Sequence, residues 1–187
     1  MATEEPKYTV ETKTDNYEIR KYGALLVAET KIDSAFENAG NQAFRILADY
    51  IFGNNKSKVT ISMTAPVSQQ VASEKIALTA PASQVKEGTG FLVQFTMPQE
   101  FTMETLPEPN DPRVHILEIS ERKVAVYRYS GTWSEERYLE NLKKFVSVLE
   151  QSGVVTTGEP LFARYNPPFM PWFLRRNEIL FEVAVEK

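Results

Sequence analysis

Lys123-Val124-Ala125-Val126-Tyr127-Arg128-Tyr129 is the stretch on which the fold turns. Its β-branched and aromatic residues favour an extended chain over a helix. The next segment has another period. Thr132 and Glu135 have the spacing of a capping box, and Tyr138, Leu139, Leu142, Phe145, Val146 and Leu149 recur at three- and four-residue steps until Gly153. That pattern predicts an amphipathic helix with a glycine stop. Strands are expected at Leu161–Tyr165 and Ile179–Val185, so this part of the chain reads β-α-β-β.

The same order occurs earlier. Tyr17-Glu18-Ile19-Arg20-Lys21-Tyr22 alternates like a strand, and Ala24–Ala28 is a second apolar stretch. Ser34 and Glu37 offer a capping box, and Phe36, Ala39, Ala43, Ile46, Leu47, Tyr50 and Ile51 form a helical stripe that ends at Gly53-Asn54-Asn55. Strands are then expected at Val59–Met63, Ile76–Thr79 and Phe91–Met97, and a further one at Val114-His115-Ile116-Leu117 in the second half. Ile19 and Val126 stand about 107 positions apart and Phe44 and Phe145 about 101, so the period holds while loops vary. The simplest account is an α+β fold of two β-α-β-β halves, approximately 17–98 and 114–186, within a single domain spanning 1–187. Neither half has enough apolar face to close a core by itself. The proline-rich run Leu106–Pro112 reads as the loop between them.

Composition narrows the function. A 187-residue chain with 42% hydrophobic residues buries a sizeable core without needing disulfides or a structural metal. The net charge of -4 argues against nucleic acid or an anionic membrane as the main partner. Cysteine is absent and histidine occurs once, at His115, which excludes Cys-His nucleophilic catalysis and thiolate-rich or multi-histidine metal sites. No run of about 18 apolar residues and no signal-peptide pattern is present, so the expectation is a cytoplasmic protein without a membrane span.

Several short strings now fall into order. Met63-Thr64-Ala65-Pro66-Val67, its weaker echo Leu78-Thr79-Ala80-Pro81-Ala82, Phe95-Thr96-Met97-Pro98, Arg164-Tyr165-Asn166-Pro167-Pro168 and Arg175-Arg176-Asn177-Glu178-Ile179 resemble the motifs of the SOUL/heme-binding-protein family. The resemblance runs from about Tyr17 to the C-terminus. It implies a distorted antiparallel β-barrel flanked by two long helices, and heme or another tetrapyrrole as ligand. It also implies a cleft beside the first helix, bounded by the loop before Arg175-Arg176-Asn177-Glu178.

The chemistry of such a ligand asks for an apolar slot with cationic or amide donors at its rim. Two segments offer that material: Arg45, Ile51, Lys56, Lys58 and Met63 at the end of the first helix and beyond, and Phe169, Met170, Trp172, Phe173 and Arg175 in the late loop. The cleft position implied by the resemblance makes these two segments face each other. Each residue also has a structural reading. Met63 on a strand is ordinary core, Lys56 and Lys58 are ordinary solvated cations, and Arg175 and Arg176 can bind turn carbonyls and neighbouring carboxylates. Trp172 is expected at the cleft rim in a mobile loop, with Trp133 elsewhere, near the start of the second helix.

His115 is read as a structural strand residue, so heme is expected to bind without a strong axial protein ligand. Burying about 500 Å² of apolar surface at about 25 cal/mol per Å² contributes roughly 12 kcal/mol before association costs of several kcal/mol, which leaves about micromolar affinity. Two other functions fit the plan: a small-molecule sensor or hydrolase resembling gyrase-inhibitor-like domains, using Glu178 with a nearby Tyr, and a protein-interaction module using the apolar loop near Trp172.

Overall fold

The computed structural model describes residues 4–72 and 90–184. In chain order its elements are β1 (Tyr8–Lys13), β2 (Glu18–Tyr22), β3 (Leu25–Ile32), α1 (Phe36–Ile51), β4 (Val67–Val71), β5 (Phe91–Thr96), β6 (His115–Ile119), β7 (Arg122–Tyr129), α2 (Glu135–Gln151), β8 (Thr156–Arg164) and β9 (Asn177–Val183). The deciding stretch 123–129 is strand β7. Its alternation is apolar on both sides because both faces are covered: Ala125 and Tyr129 lie under α2, while Val124 and Val126 join Tyr22, Ala163 and Leu180 on the other face.

All nine strands form one antiparallel sheet in the order β1-β2-β7-β9-β8-β4-β5-β3-β6. The centre is the β8-β4 pairing, where Val67 opposes Arg164. On either side the two halves repeat the same arrangement, with one exchange. Strand β2 pairs with β7 of the second half, and β6 pairs with β3 of the first. Ile19 therefore faces Ala125 across a ladder and is a neighbour of Val126, not its repeat equivalent. The strand that corresponds to β7 is β3.

The expected barrel is an open sheet. Its ends are β1, exposed at every position, and β6, where His115, Leu117 and Glu118 are exposed. Edges carrying charged side chains resist further pairing. Helix α1 packs Ala39, Ala43, Leu47 and Ile51 against Ala28, Val93 and Phe95, and α2 packs Phe145 and Leu149 against Ala125, Phe162, Ile179 and Phe181. None of the helices among the described residues is long and apolar enough to cross a membrane.

Local expectations fail where side chains find other partners. The N-cap of α1 is Ala35, with no side-chain cap; Ser34 Oγ instead accepts from Gln42 Nε2 at 3.2 Å, and Glu37 Oε1 accepts from the backbone N–H of Glu135 at 3.2 Å. For α2 the cap is Ser134, not Thr132, and its Oγ accepts from the Arg137 N–H. The strand expected at Val59–Met63 is irregular, because Asn55 gathers the chain: its Nδ2 donates to the carbonyls of Tyr50 and Val59 at 3.1 and 2.7 Å, and its Oδ1 accepts from Val59 N–H at 3.1 Å. The ladder begins only at Val67. The strand expected at Ile76–Thr79 and the echo Leu78–Ala82 lie outside the described residues.

Candidate functional site

Between β8 and β9 the chain cannot stay extended. Pro167, Pro168 and Pro171 remove three amide donors, and a looped excursion forms with a single 3-10 turn at Trp172–Leu174. Its backbone is well tied. Met170 N–H donates to Pro167 O at 3.0 Å and Leu174 N–H to Pro171 O at 2.9 Å. Arg175 does the bracing from within: Nε donates to Met170 O at 2.8 Å and Nη2 to Pro168 O at 2.7 Å. Two of the guanidinium's nitrogens are thereby engaged by the loop's own carbonyls.

This braced loop presents its apolar side chains outward. Phe169 is 86% exposed, Trp172 59%, Phe173 57% and Leu174 62%, with Trp172 and Phe173 edge to face at 5.6 Å. Monomeric proteins seldom leave such a contiguous apolar surface without a use for it. Met170 is half-buried beneath.

The root of the loop rests on a stack. The Arg175 guanidinium lies 4.2 Å from the centre of the Trp133 indole, and Arg164 lies 5.4 Å from the same ring. Trp133 is fixed by its Nε1–H, which donates to Asn177 Oδ1 at 2.9 Å. Trp133 is thus part of the loop's foundation, contrary to the expectation that it lies elsewhere. Arg164 in turn reaches Gly40 of α1: a Cβ at Gly40 would overlap Arg164 Nη2 and stand 2.7 Å from Nη1. Burial pulls the Arg164 pKa down to about 10.

The other group of candidates sits at the far end of α1. Arg45 is exposed on the helix, Lys56 and Lys58 are exposed, Met63 is 37% exposed, and Ile51 is buried in the core at 1%. Their segment is tied to the inter-half loop by Tyr50 Oη donating to Pro107 O at 2.7 Å and Lys56 N–H to Glu108 O at 2.8 Å. Gly40 and Ile51 are about 16 Å apart along the helix axis. Among the described residues no hydrogen bond, ion pair or ring contact joins Lys56–Met63 to Phe169–Arg175. The root of the loop is linked to α1 only indirectly, through Trp133 and the Arg164 guanidinium that lies against Gly40.

Glu178, the carboxylate a hydrolase would use, is fully engaged. It is 1% exposed, Arg20 Nη1 and Nη2 donate to its Oε2 and Oε1 at 2.9 and 3.1 Å, and the Tyr165 hydroxyl donates to Oε2 at 2.7 Å. Burial, with the Glu178 charge adding to it, pushes the Tyr165 pKa well up, so that hydroxyl stays protonated. For Arg20, burial favours deprotonation, but hydrogen bonding and attraction to Glu178 outweigh it and the pKa rises. A carboxylate held by a fork of two N–H donors is a brace, not a free base.

The described residues also form a concavity that no residue of the loop lines. It holds about 620 Å³ and is lined by Leu25, Leu26, Met97 and Phe101, with Glu4, Glu5, Glu104 and Glu118 against Lys7. Its size suits a small molecule, but its charge disfavours an anionic one.

An open antiparallel sheet with two helices packed on it and an apolar loop between β8 and β9 places the chain in the α+β class. The chain belongs to the SOUL heme-binding protein family, whose model matches residues 3–182. It is 28% identical to human heme-binding protein 2 over 172 residues, covering 87% of this chain and 80% of that protein. The mouse heme-binding protein 2 is 26% identical over 178 residues, covering 90% and 82%. In fold it is similar to the EcmrR C-terminal domain, with a TM-score of 0.66 at 11% identity over 95% of this chain and 98% of that one. A hydrolase from Listeria innocua superposes with a TM-score of 0.62 at 10% identity, over 93% and 94%.

Proposed function

We propose that this protein binds heme or a related tetrapyrrole without catalysing a reaction on it, at the Phe169–Arg175 loop, beside the Trp133–Arg164–Gly40 contacts at the N-terminal half of α1. The role is that of a carrier, buffer or sensor in the cytoplasm, performed by one domain. The observation that carries the reading is the set of four large apolar side chains held outward on a loop whose own backbone is braced. Membership of the family and the names of its human and mouse relatives point the same way. A flat apolar disc can cover these side chains while its carboxylates meet the cations at their foot. Iron needs no protein ligand for this. His115 is exposed on the edge strand β6, far from the loop in the sheet order, and face burial accounts for about micromolar affinity.

The acidic concavity of about 620 Å³ supports a second reading, a small-molecule site. Glu178, which does not line this concavity, is held by Arg20 and is not free to act as a hydrolytic base. Titration separates these readings: hemin, metal-free protoporphyrin and unrelated flat dyes are added in turn and followed by absorbance. One site per chain, with metal-free protoporphyrin within about tenfold of hemin, supports the apolar slot. Hemin binding without any binding of the metal-free ring would make iron coordination the source of affinity and overturn the reading.

A further inference from the structure

Arg164 is the last residue of β8, and its side chain rises between α1 and the segment that leads into α2. Among the described residues its near neighbours carry no negative charge. Its guanidinium carbon lies 5.4 Å from the Trp133 ring centre and 5.7 Å from that of Phe162. Its one polar side-chain partner among the described residues is Gln69 Oε1, at a long 3.4 Å. No carboxylate of the described residues comes within ion-pair distance. Arg20 shows how this chain treats a guanidinium meant only to brace, since Glu178 faces it with both oxygens.

The helix accommodates Arg164 at a cost. Glycine inside a helix is unfavourable relative to alanine, yet Gly40 lies in the second turn of α1, and the atoms its missing Cβ admits are those of the Arg164 guanidinium. Two features are therefore held in place, a cation without a counter-charge among the described residues and the gap that lets it stand there. The pair lies at the foot of the apolar loop, one indole ring away from Arg175, with the two guanidinium carbons flanking Trp133 at 5.4 and 4.2 Å.

We propose that Arg164 is an anion anchor at the foot of the loop, and that its planar fork takes a carboxylate of a flat apolar ligand whose face lies on the Phe169–Leu174 side chains. The inference rests on the tetrapyrrole reading above and deepens it, since the two propionates of a porphyrin supply such carboxylates. A carboxylate matches the guanidinium bidentately and supplies the charge that the site lacks. The lowered pKa of Arg164 agrees with a half-buried guanidinium whose desolvation no nearby carboxylate of the described residues offsets. Ligands of the same shape without a carboxylate should accordingly bind less well.

The test compares hemin with hemin dimethyl ester, whose face is unchanged and whose propionates are neutral, on the wild type and on Arg164→Met, Arg164→Lys and Gly40→Ala. The wild type is expected to bind the ester about tenfold more weakly than hemin, because charge-assisted hydrogen bonds are lost. Arg164→Met is expected to weaken hemin by a similar factor and leave the ester unchanged; Arg164→Lys recovers part of the loss. Gly40→Ala keeps the charge but displaces the guanidinium, so it too should weaken hemin and spare the ester. If Arg164→Met does not fold, judged by far-ultraviolet circular dichroism, the other two variants carry the comparison. Equal effects of a variant on hemin and ester, or no effect on hemin, overturn the anchor while leaving the tetrapyrrole reading intact. Failure of the wild type to bind either compound overturns both.

Discussion

Replacing Arg20 with methionine isolates the question of what Glu178 is for. The pair is among the most buried charges of the chain, with Glu178 1% and Arg20 5% exposed. Removing the guanidinium takes two donors at 2.9 and 3.1 Å from the carboxylate and leaves it the Tyr165 hydroxyl at 2.7 Å and Arg176 Nε at 3.9 Å. A buried charge left without its main partner costs about 3 to 5 kcal/mol. For a protein of this size that lowers Tm by roughly 6 to 20 °C. The double variant Arg20→Met with Glu178→Leu removes both charges and should regain most of the loss, since an apolar replacement of a buried pair is often near neutral. The assay is thermal unfolding by circular dichroism, with hemin titration of each variant below its transition. A brace predicts large, coupled stability effects and hemin affinity within about threefold of wild type. A loss of hemin binding in the stable double variant would refute the reasoning and put Glu178 in the ligand site.

Trp172→Ala should weaken hemin binding by about 1 to 2 kcal/mol with no change in Tm, because Trp172 is 59% exposed and supports no core; equal affinity in a titration would remove Trp172 from the site. His115→Ala should leave the Soret band and the affinity unchanged, and a shifted band with more than about tenfold weaker binding would make it a ligand. Ser134→Ala should cost about 1 kcal/mol in urea unfolding through loss of the α2 cap, whereas Thr132→Ala, tested beside it, should cost less.

How far the sequence can be read depends on where the physics is local. Both helices were legible because their apolar stripes are regular, and β7 because its residues favour extension on either face. Strand β4 was hidden: Ser68 and Gln69 look like surface, yet they are 6% and 1% exposed, and Gln69 Nε2 donates to the Phe36 carbonyl at 3.0 Å. The chain before it, 59–63, is apolar enough to suggest a strand, but Asn55 folds it into a loop through bonds that no periodicity announces. Strand β1 has no buried face at all and so no pattern. The exchange of β2 and β6 between halves is invisible to spacing, which is why Ile19 and Val126 looked like repeats. In the site, the loop Phe169–Arg175 was readable from its prolines and large apolar residues. Its footing was not, since Gly40, Trp133 and Arg164 come from three distant parts of the chain and meet only in space.

The position of the ligand is the central claim, and amide NMR of the uniformly labelled protein titrated with metal-free protoporphyrin tests it most directly. Shifts are predicted for Phe169, Met170, Trp172–Arg175, the Trp133 indole N–H and the first turns of α1 through Gly40. Shifts confined to Glu4–Lys7 and Gln99–Glu104, at the acidic concavity, would contradict the account.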